Sequence, residues 1–412
     1  MRPVDLAPVG PDEQNSSPLD LFLIFVGANI VATTLQVGAS LPASFTARVA
    51  FATIAAGAVG GALLTGVLAP VGSRLRVPSI VATRAALGTS GAQALALLLF
   101  VTNFAWIALN NVIAASITTG VTGVGTTGAW SAGLGLAATA VVLGGPRAAA
   151  IVDRVAVPLL LLSGAVFTVA VMRAPAPAWP AGPVPAGDIA RGLDIVIGYQ
   201  ASWLLMFADY PRFVRSSRAA GWAVFLGLGL TALWFMPLGF VASAIAGSSD
   251  PGDMVTALDL GAWGAMLVVL AALTTNFVNI YMSALALKSL RPGLGGPAGV
   301  WIIGGIGAAL GLFSLGWLER FASFTLVLGA LLVPIGGLLL AHFFVLRTPT
   351  HVPDLYAPTS LRHGWSGPGL AAWIAGAVVF QLSGHIGATL PSLVTTMVVY
   401  VILARRSVSA SH

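Results

Sequence analysis

Twelve apolar runs, each of a length that suits a bilayer, leave this chain of 412 residues few ways to fold. They fall near 20–43, 49–72, 92–117, 130–146, 150–172, 189–209, 219–246, 260–287, 298–316, 321–346, 367–384 and 387–404. In hydrocarbon every backbone polar group must be satisfied inside its own segment, and about 20 apolar residues span the core, so each run reads as a helix. Charged residues make up 8% of the chain and hydrophobic ones 57%, whereas a soluble domain carries about 25% charged residues. The chain is therefore expected to be an all-α integral membrane protein of about twelve transmembrane helices, with the lipid bilayer as its main partner. The split between the fourth and fifth runs, at Gly144 to Arg147, is the least sharply marked.

The basic residues test that reading. If the runs alternate in direction, Arg74, Arg76, Arg84, Arg147, Arg154, Arg212, Arg215, Arg218, Lys288, Arg291, Arg347, Arg362, Arg405 and Arg406 lie on one side. Arg48, Arg173, Arg191 and Arg320 lie on the other, and Arg2 joins the first group. Fourteen against four is a strong positive-inside bias and places both termini in the cytoplasm, on a multi-pass protein of the inner (plasma) membrane. Orientation thus accounts for the net charge of +6, and nucleic acid is not an expected partner. Zero cysteines exclude disulfides, thiolate metal sites and Cys nucleophiles. The start of the chain shows no cleavable signal, and no segment marks an obligate protein partner.

Residues 1–17 read as a disordered cytoplasmic tail. The Pro-rich stretch 173–188 favours extended backbone on the outer side and follows the fifth run. It divides the chain into a unit at 18–172 and another at 189–346. A loop at 347–366, two further helices at 367–404 and a tail at 405–412 complete it. Two five-span units of opposite topology are a transporter architecture, with substrate and ion held at the unit interface. The first helix of each unit carries a mid-run Gly followed by polar residues: Gly27 before Asn29, Thr33 and Thr34, and Gly198 before Tyr199, Gln200 and Ser202. Such pairs point to broken helices with exposed carbonyls.

Three stretches can carry chemistry. Within 273–283, Thr275, Asn279 and Ser283 recur at i, i+4 and i+8 on one helix face, beside Thr274 and Asn276. The row reads either as interhelical glue or as a lining for a polar cavity. In the third run Asn103, Trp106 and Asn110 share a face, joining a flat aromatic surface to amide donors and acceptors that suit a planar heteroaromatic ligand. The competing reading is a Trp packed within the bundle. Near the inner end of the sixth run, Asp209 and Arg212 form either a gate or a helix-ending ion pair. No titratable residue sits at the centre of a run, with Asp153, Arg154, Asp194, Asp259 and His342 nearer to ends. This favours Na⁺ over H⁺ as coupling ion, with H⁺ kept open. No metalloprotease, phosphate-loop or nucleophile-elbow motif is present, so an enzyme is not expected.

Several of these stretches together resemble the nucleobase–cation symporter family of cytosine permeases, hydantoin permeases and hydroxymethylpyrimidine transporters. They are 25–30 with 38–41, 77–91 leading into Trp106, 202–213, 273–276 and 321–344, in that order. The run from Ser202 and Trp203 to Phe213 is most similar to the hydroxymethylpyrimidine group. The resemblance implies a LeuT-type fold, a 5+5 inverted repeat plus two C-terminal helices, working by alternating access. It implies a Na⁺ held by the carbonyls of Gly27, Ile30 and Ala271 and the hydroxyls of Thr274 and Thr275. It implies stacking of substrate on Trp106, a polar contact at Asn110, further contacts from Tyr199, Gln200 and Ser202, and one from Asn276 or Asn279. Gln200 departs from the aromatic that relatives carry there. The expected substrate is a pyrimidine-like nucleobase or thiamine precursor, cytosine or hydroxymethylpyrimidine. An amino-acid or other small-metabolite permease of the same fold is the alternative, and a non-transporting receptor is a further rival.

Overall fold

Ser17 accepts from the Asp20 amide and Pro18 takes the first helical position, so the first helix starts where its own donors are met. The computed structural model describes residues 6–143, 145–290, 297–313, 316, 318–357 and 364–409. Arg2, Gly144, Arg291 and Arg362 lie outside the described residues, as do the first five residues and the last three. Helix α1 (Pro18–Asn29) stops at a break, and α2 (Ala32–Ala39) continues at a bend of 57°. The next elements are α3 (Ala47–Leu75), α4 (Ser79–Thr122), α5 (Thr127–Leu143) and α6 (Gly145–Arg173). The second unit comprises α7 (Ala186–Ala201), α8 (Ser217–Ala246), α9 (Pro251–Ala257), α10 (Gly261–Leu290), α11 (Pro297–Leu312) and α12 (Phe321–Leu340). Helices α13 (Gly367–Leu382) and α14 (Thr389–Ser409) pack on each other and on α12. No strand occurs among the described residues.

Helix α3 packs on α8, α4 on α10 and α5 on α11, so corresponding members of the two units lie side by side. A two-fold relation between the units accommodates that pairing. Among the described residues five helices are long and apolar enough to cross a membrane, and the bent α1–α2 pair makes a sixth. Helices α5, α11 and α13 are apolar but shorter. Helix α7 falls short because it carries Asp188, Arg191 and Asp194, and it tightens at once into a 3₁₀ turn (Ser202–Met206).

Crossings are close where a side chain is missing. A Cβ on Gly38 would lie 1.8 Å from the Met236 carbonyl oxygen, and one on Gly239 would lie 1.9 Å from that of Leu35. Helices α2 and α8 therefore meet backbone to backbone at two reciprocal points. Gly198 serves the same purpose, since its Cβ would fall 2.2 Å from the Thr325 carbonyl on α12. It is a packing glycine three residues ahead of the helix end.

Three expectations change. The described part of the amino-terminal segment, residues 6–17, is not disordered. Gln14 Nε2 donates to the carbonyls of Ser73 (3.0 Å) and Arg212 (3.1 Å), and the Val9 amide donates to Arg76 O (2.8 Å). Polar composition hid the fact that these groups satisfy backbone left open at the end of α3. The third run, expected from residue 92, begins at Ser79, with Gly88 at φ 76° breaking the path. The groups freed there are met by the strip before α13: Ser90 N–H donates to Gly364 O, and Ser366 N–H to Leu87 O. Asp194 lies mid-way along α7 and is 2% exposed. Its carboxylate accepts from the amides of Ala388 (2.7 Å) and Thr389 (3.0 Å) and from the Thr389 hydroxyl (2.8 Å), capping α14. A buried charge survives there because a helix N-terminus completes its shell.

Candidate substrate and cation site

The last helical bond of α1 runs from Ile30 N–H to Val26 O, and Val31 is extended (φ −137°). Carbonyls from Gly27 onward thereby lose their regular partners. Polar side chains gather at the gap. Asn29 Nδ2 donates to Thr231 Oγ1 (2.8 Å) and Leu228 O (3.2 Å) on α8. Thr34 Oγ1 donates to Asn29 O (2.7 Å) and lies 2.7 Å from the Tyr199 hydroxyl, which is also 3.3 Å from Thr33 Oγ1. The broken helix of the first unit is thus tied to the unwinding helix of the second.

Trp106 on α4 is half-buried beside this junction. Tyr199, Phe321 and Phe324 surround it with ring centroids at 5.6, 6.3 and 4.9 Å and interplanar angles of 82°, 70° and 76°. None of the three lies parallel to the indole, so no ring among the described residues holds the stacking geometry that a flat ligand would use. One turn on, Asn110 is 1% exposed and its Oδ1 has no hydrogen-bond partner among the described residues. A buried acceptor left open is costly, and it is the kind of group a ligand N–H completes.

The remaining candidates divide. Gln200 packs against α3 and α8: its Cβ lies where a side chain on Gly61 would be, and Nε2 is 3.4 Å from Leu228 O. Ser202 Oγ donates to Tyr199 O (2.7 Å), turning the chain into the 3₁₀ segment. Asn276 is fully buried and donates to Asn111 Oδ1 (2.6 Å) and Ile107 O (3.3 Å) on α4. Asn279 is half-buried and makes no side-chain hydrogen bond among the described residues. Ser283 accepts from Asn103 Nδ2 (2.9 Å), an interhelical bond of the kind the glue reading expects of Ser283, and it engages the Asn103 amide group.

The hydroxyls of Thr274 and Thr275 both donate to Ala271 O, at 2.9 and 3.0 Å. Ala271 and Ile30 belong to one buried apolar cluster, which brings this turn of α10 into the neighbourhood of the α1 break. Neutral hydroxyls and backbone carbonyls are hard oxygen donors, the set that suits a dehydrated alkali cation. No group of three or more His, Cys, Asp or Glu fit for a metal occurs among the described residues. Asp209 accepts from the Ser79 hydroxyl and backbone amide, holding the start of α4. Arg212 Nε donates to Asp209 O (3.1 Å) and its guanidinium lies over the Phe213 ring.

Sequence reasoning did not anticipate the rings of Phe321 and Phe324 or the Asn29–Thr231 bond. These residues are far apart in the chain, and only Asn29, in a polar cluster after Gly27, carried a local signal.

A family model described as permease for cytosine/purines, uracil, thiamine, allantoin matches residues 8–403. The chain belongs to this permease family. It is the nucleobase–cation symporter group that the sequence resembles. The permease is 23% identical over 362 residues to a Bacillus subtilis (strain 168) protein named as a purine-cytosine permease, YxlA, covering 82% of this chain and 78% of the relative. Its fold matches the inward-facing conformation of Mhp1 with a TM-score of 0.84 at 18% identity, over 100% of this chain and 95% of the other. A closed conformation of Mhp1 with bromovinylhydantoin bound gives 0.79 at 18% identity, over 98% and 95%. A manganese transporter of Eremococcus coleocola gives 0.53 at 15% identity, over 97% of each chain. The permease therefore has the LeuT-type fold and is a multi-pass membrane transporter of the nucleobase type, not an enzyme. The breadth of those neighbours shows that the fold alone does not fix the cargo.

Proposed function

We propose that this permease imports a small planar pyrimidine-like compound, cytosine or hydroxymethylpyrimidine, by Na⁺ symport and alternating access across the plasma membrane, with both termini cytoplasmic. The observation that carries the reading is Trp106: a half-buried indole with no ring stacked on it among the described residues, one turn from the open Oδ1 of Asn110. Substrate stacks on Trp106 and gives an N–H to Asn110, while Tyr199 and Ser202 line the second unit's side. Gln200 lies behind them. Of the two asparagines on α10, Asn276 gives its Nδ2 to Asn111 and keeps its Oδ1 open, while Asn279 makes no side-chain hydrogen bond among the described residues, so either can meet substrate.

Na⁺ takes the carbonyls of Gly27, Ile30 and Ala271 with the hydroxyls of Thr274 and Thr275. In this reading the ion fixes α1 against α10, and substrate then favours closure of the outer side. Each ligand must bind the two states unequally, or it drives nothing. Asp209 holds the inner end of α4 to the segment after α7 through Ser79, Arg212 is bonded to the Asp209 carbonyl, and the pair serves as the inner gate.

The test is a thermal-shift screen of the purified protein against cytosine, hydroxymethylpyrimidine, hydantoins, purines and amino acids, with and without Na⁺ and at two pH values. Stabilisation by a pyrimidine that grows with Na⁺ supports the reading. Stabilisation by aliphatic amino acids alone overturns the substrate class. A response to pH with none to Na⁺ overturns the coupling ion.

A further inference from the structure

On the outside of the bundle, where α1 and α8 begin, a groove of about 500 Å³ runs between the two helices. Leu19 and Phe22 of α1 form one wall, and Trp222 and Leu226 of α8 form the other. Ser216 and Arg218 stand at its rim. Arg218, Trp222 and Leu226 are spaced i, i+4 and i+8, so one stripe of α8 passes from charge to aromatic to aliphatic. At 1.5 Å per residue this covers about 12 Å. That gradient matches a glycerophospholipid read from phosphate to acyl chain. Leu19 is 62% and Trp222 54% exposed, too much apolar surface to face water and well suited to face lipid.

Charge points the same way. Arg218 is exposed and makes no hydrogen bond or ion pair among the described residues. It sits in the first turn of α8, where the helix dipole also favours an anion. Asp20, next in sequence to Leu19 of the α1 wall, does not line the groove, and its carboxylate is bonded to the Ser17 amide (2.9 Å) and hydroxyl (2.8 Å). Arg74, Arg76, Arg212 and Arg215 belong to the same end of the bundle, the end at which positive charge accumulates.

We propose that this groove binds an anionic phospholipid, its phosphate on Arg218 and one acyl chain along Phe22, Trp222 and Leu226. The experiment is native mass spectrometry of the full chain in detergent, with phosphatidylglycerol and phosphatidylcholine of matched chains added together. The wild type is expected to retain phosphatidylglycerol about fivefold over phosphatidylcholine, the worth of one basic residue near an anionic headgroup. Arg218→Gln should bring that ratio to about one, and Arg218→Lys should keep it. Trp222→Ala should lower retention of both lipids and leave the ratio alone. Glycerol 3-phosphate, which lacks acyl chains, should not displace the lipid. An unchanged ratio in Arg218→Gln, unchanged retention in Trp222→Ala, displacement by glycerol 3-phosphate, or a lipid-free dimer formed through this face would each overturn the proposal. An equal thermal midpoint of wild type and Arg218→Gln in phosphatidylcholine confirms that the variant folds.

Discussion

The Tyr199 hydroxyl on α7 lies 2.7 Å from Thr34 Oγ1 on α2. The direction of that bond follows from its neighbour. Thr34 gives its one proton to the Asn29 carbonyl at 2.7 Å, so Tyr199 must be the donor. A relay from Tyr199 through Thr34 to Asn29 O therefore spans the break in the first unit and ties it to the unwinding helix of the second. An interhelical hydrogen bond in a membrane protein is worth about 0.6 kcal/mol on average. The relay is too weak to hold the fold and well placed to set the relative position of two helices.

Tyr199→Phe keeps the ring beside Trp106 and removes the proton. The expected result is a small loss of thermal stability, about 0.6–1.7 kcal/mol at most, with a larger fall in the transport rate. Uptake by reconstituted protein, compared with its thermal midpoint, checks this. A rate equal to wild type would show that the relay is packing only.

Trp106→Ala removes the stacking surface. Stacking of a base on an aromatic side chain is worth about 1–3 kcal/mol, so affinity for a flat ring should fall roughly 5- to 150-fold. Trp106→Phe should recover part of it. Asn110→Ala removes the carboxamide with its open Oδ1, and its loss should fall on substrates with a ring N–H and spare N-methylated analogues. Binding titrations on the three variants separate stacking from hydrogen bonding.

Thr275 donates to the Ala271 carbonyl within its own helix, a bond the fold does not need. Thr275→Ala is therefore expected to fold and to lose most of its Na⁺ dependence, whereas Thr275→Ser retains it. Uptake measured against Na⁺ concentration decides the matter. Unchanged dependence in the alanine variant sinks the proposed ion site.

Asp194→Asn tests a structural charge. The carboxylate receives two backbone amides and a hydroxyl at the start of α14, and an asparagine would turn an NH₂ group towards at least one of them. Hydrogen bonds to a charged group are worth about 1.5–3 kcal/mol. The expected effect is faster hydrogen exchange at residues 388–392 together with a lower thermal midpoint. Substrate affinity in the variant should stay near that of wild type.

Much of the architecture is local information. Long apolar runs can only be helices in a bilayer, and Gly27 followed by Asn29, Thr33 and Thr34 marked where one of them breaks. Trp106 and Asn110 were legible because a helix places i and i+4 on one face. The sequence by itself thus determined the fold class, the broken first helix and the family. Which polar residue serves which purpose was decided by the tertiary structure. Asn276 and Asn279 look alike along the chain, yet one is bonded to Asn111 and the other is not. Gln200 and Tyr199 are adjacent in the chain, yet they point to different helices. Asp194 carries no local sign that it caps α14, almost two hundred residues away. The physical reason is common to all three: a polar side chain in a low-dielectric interior is defined by the partner that satisfies it, and that partner comes from a different helix.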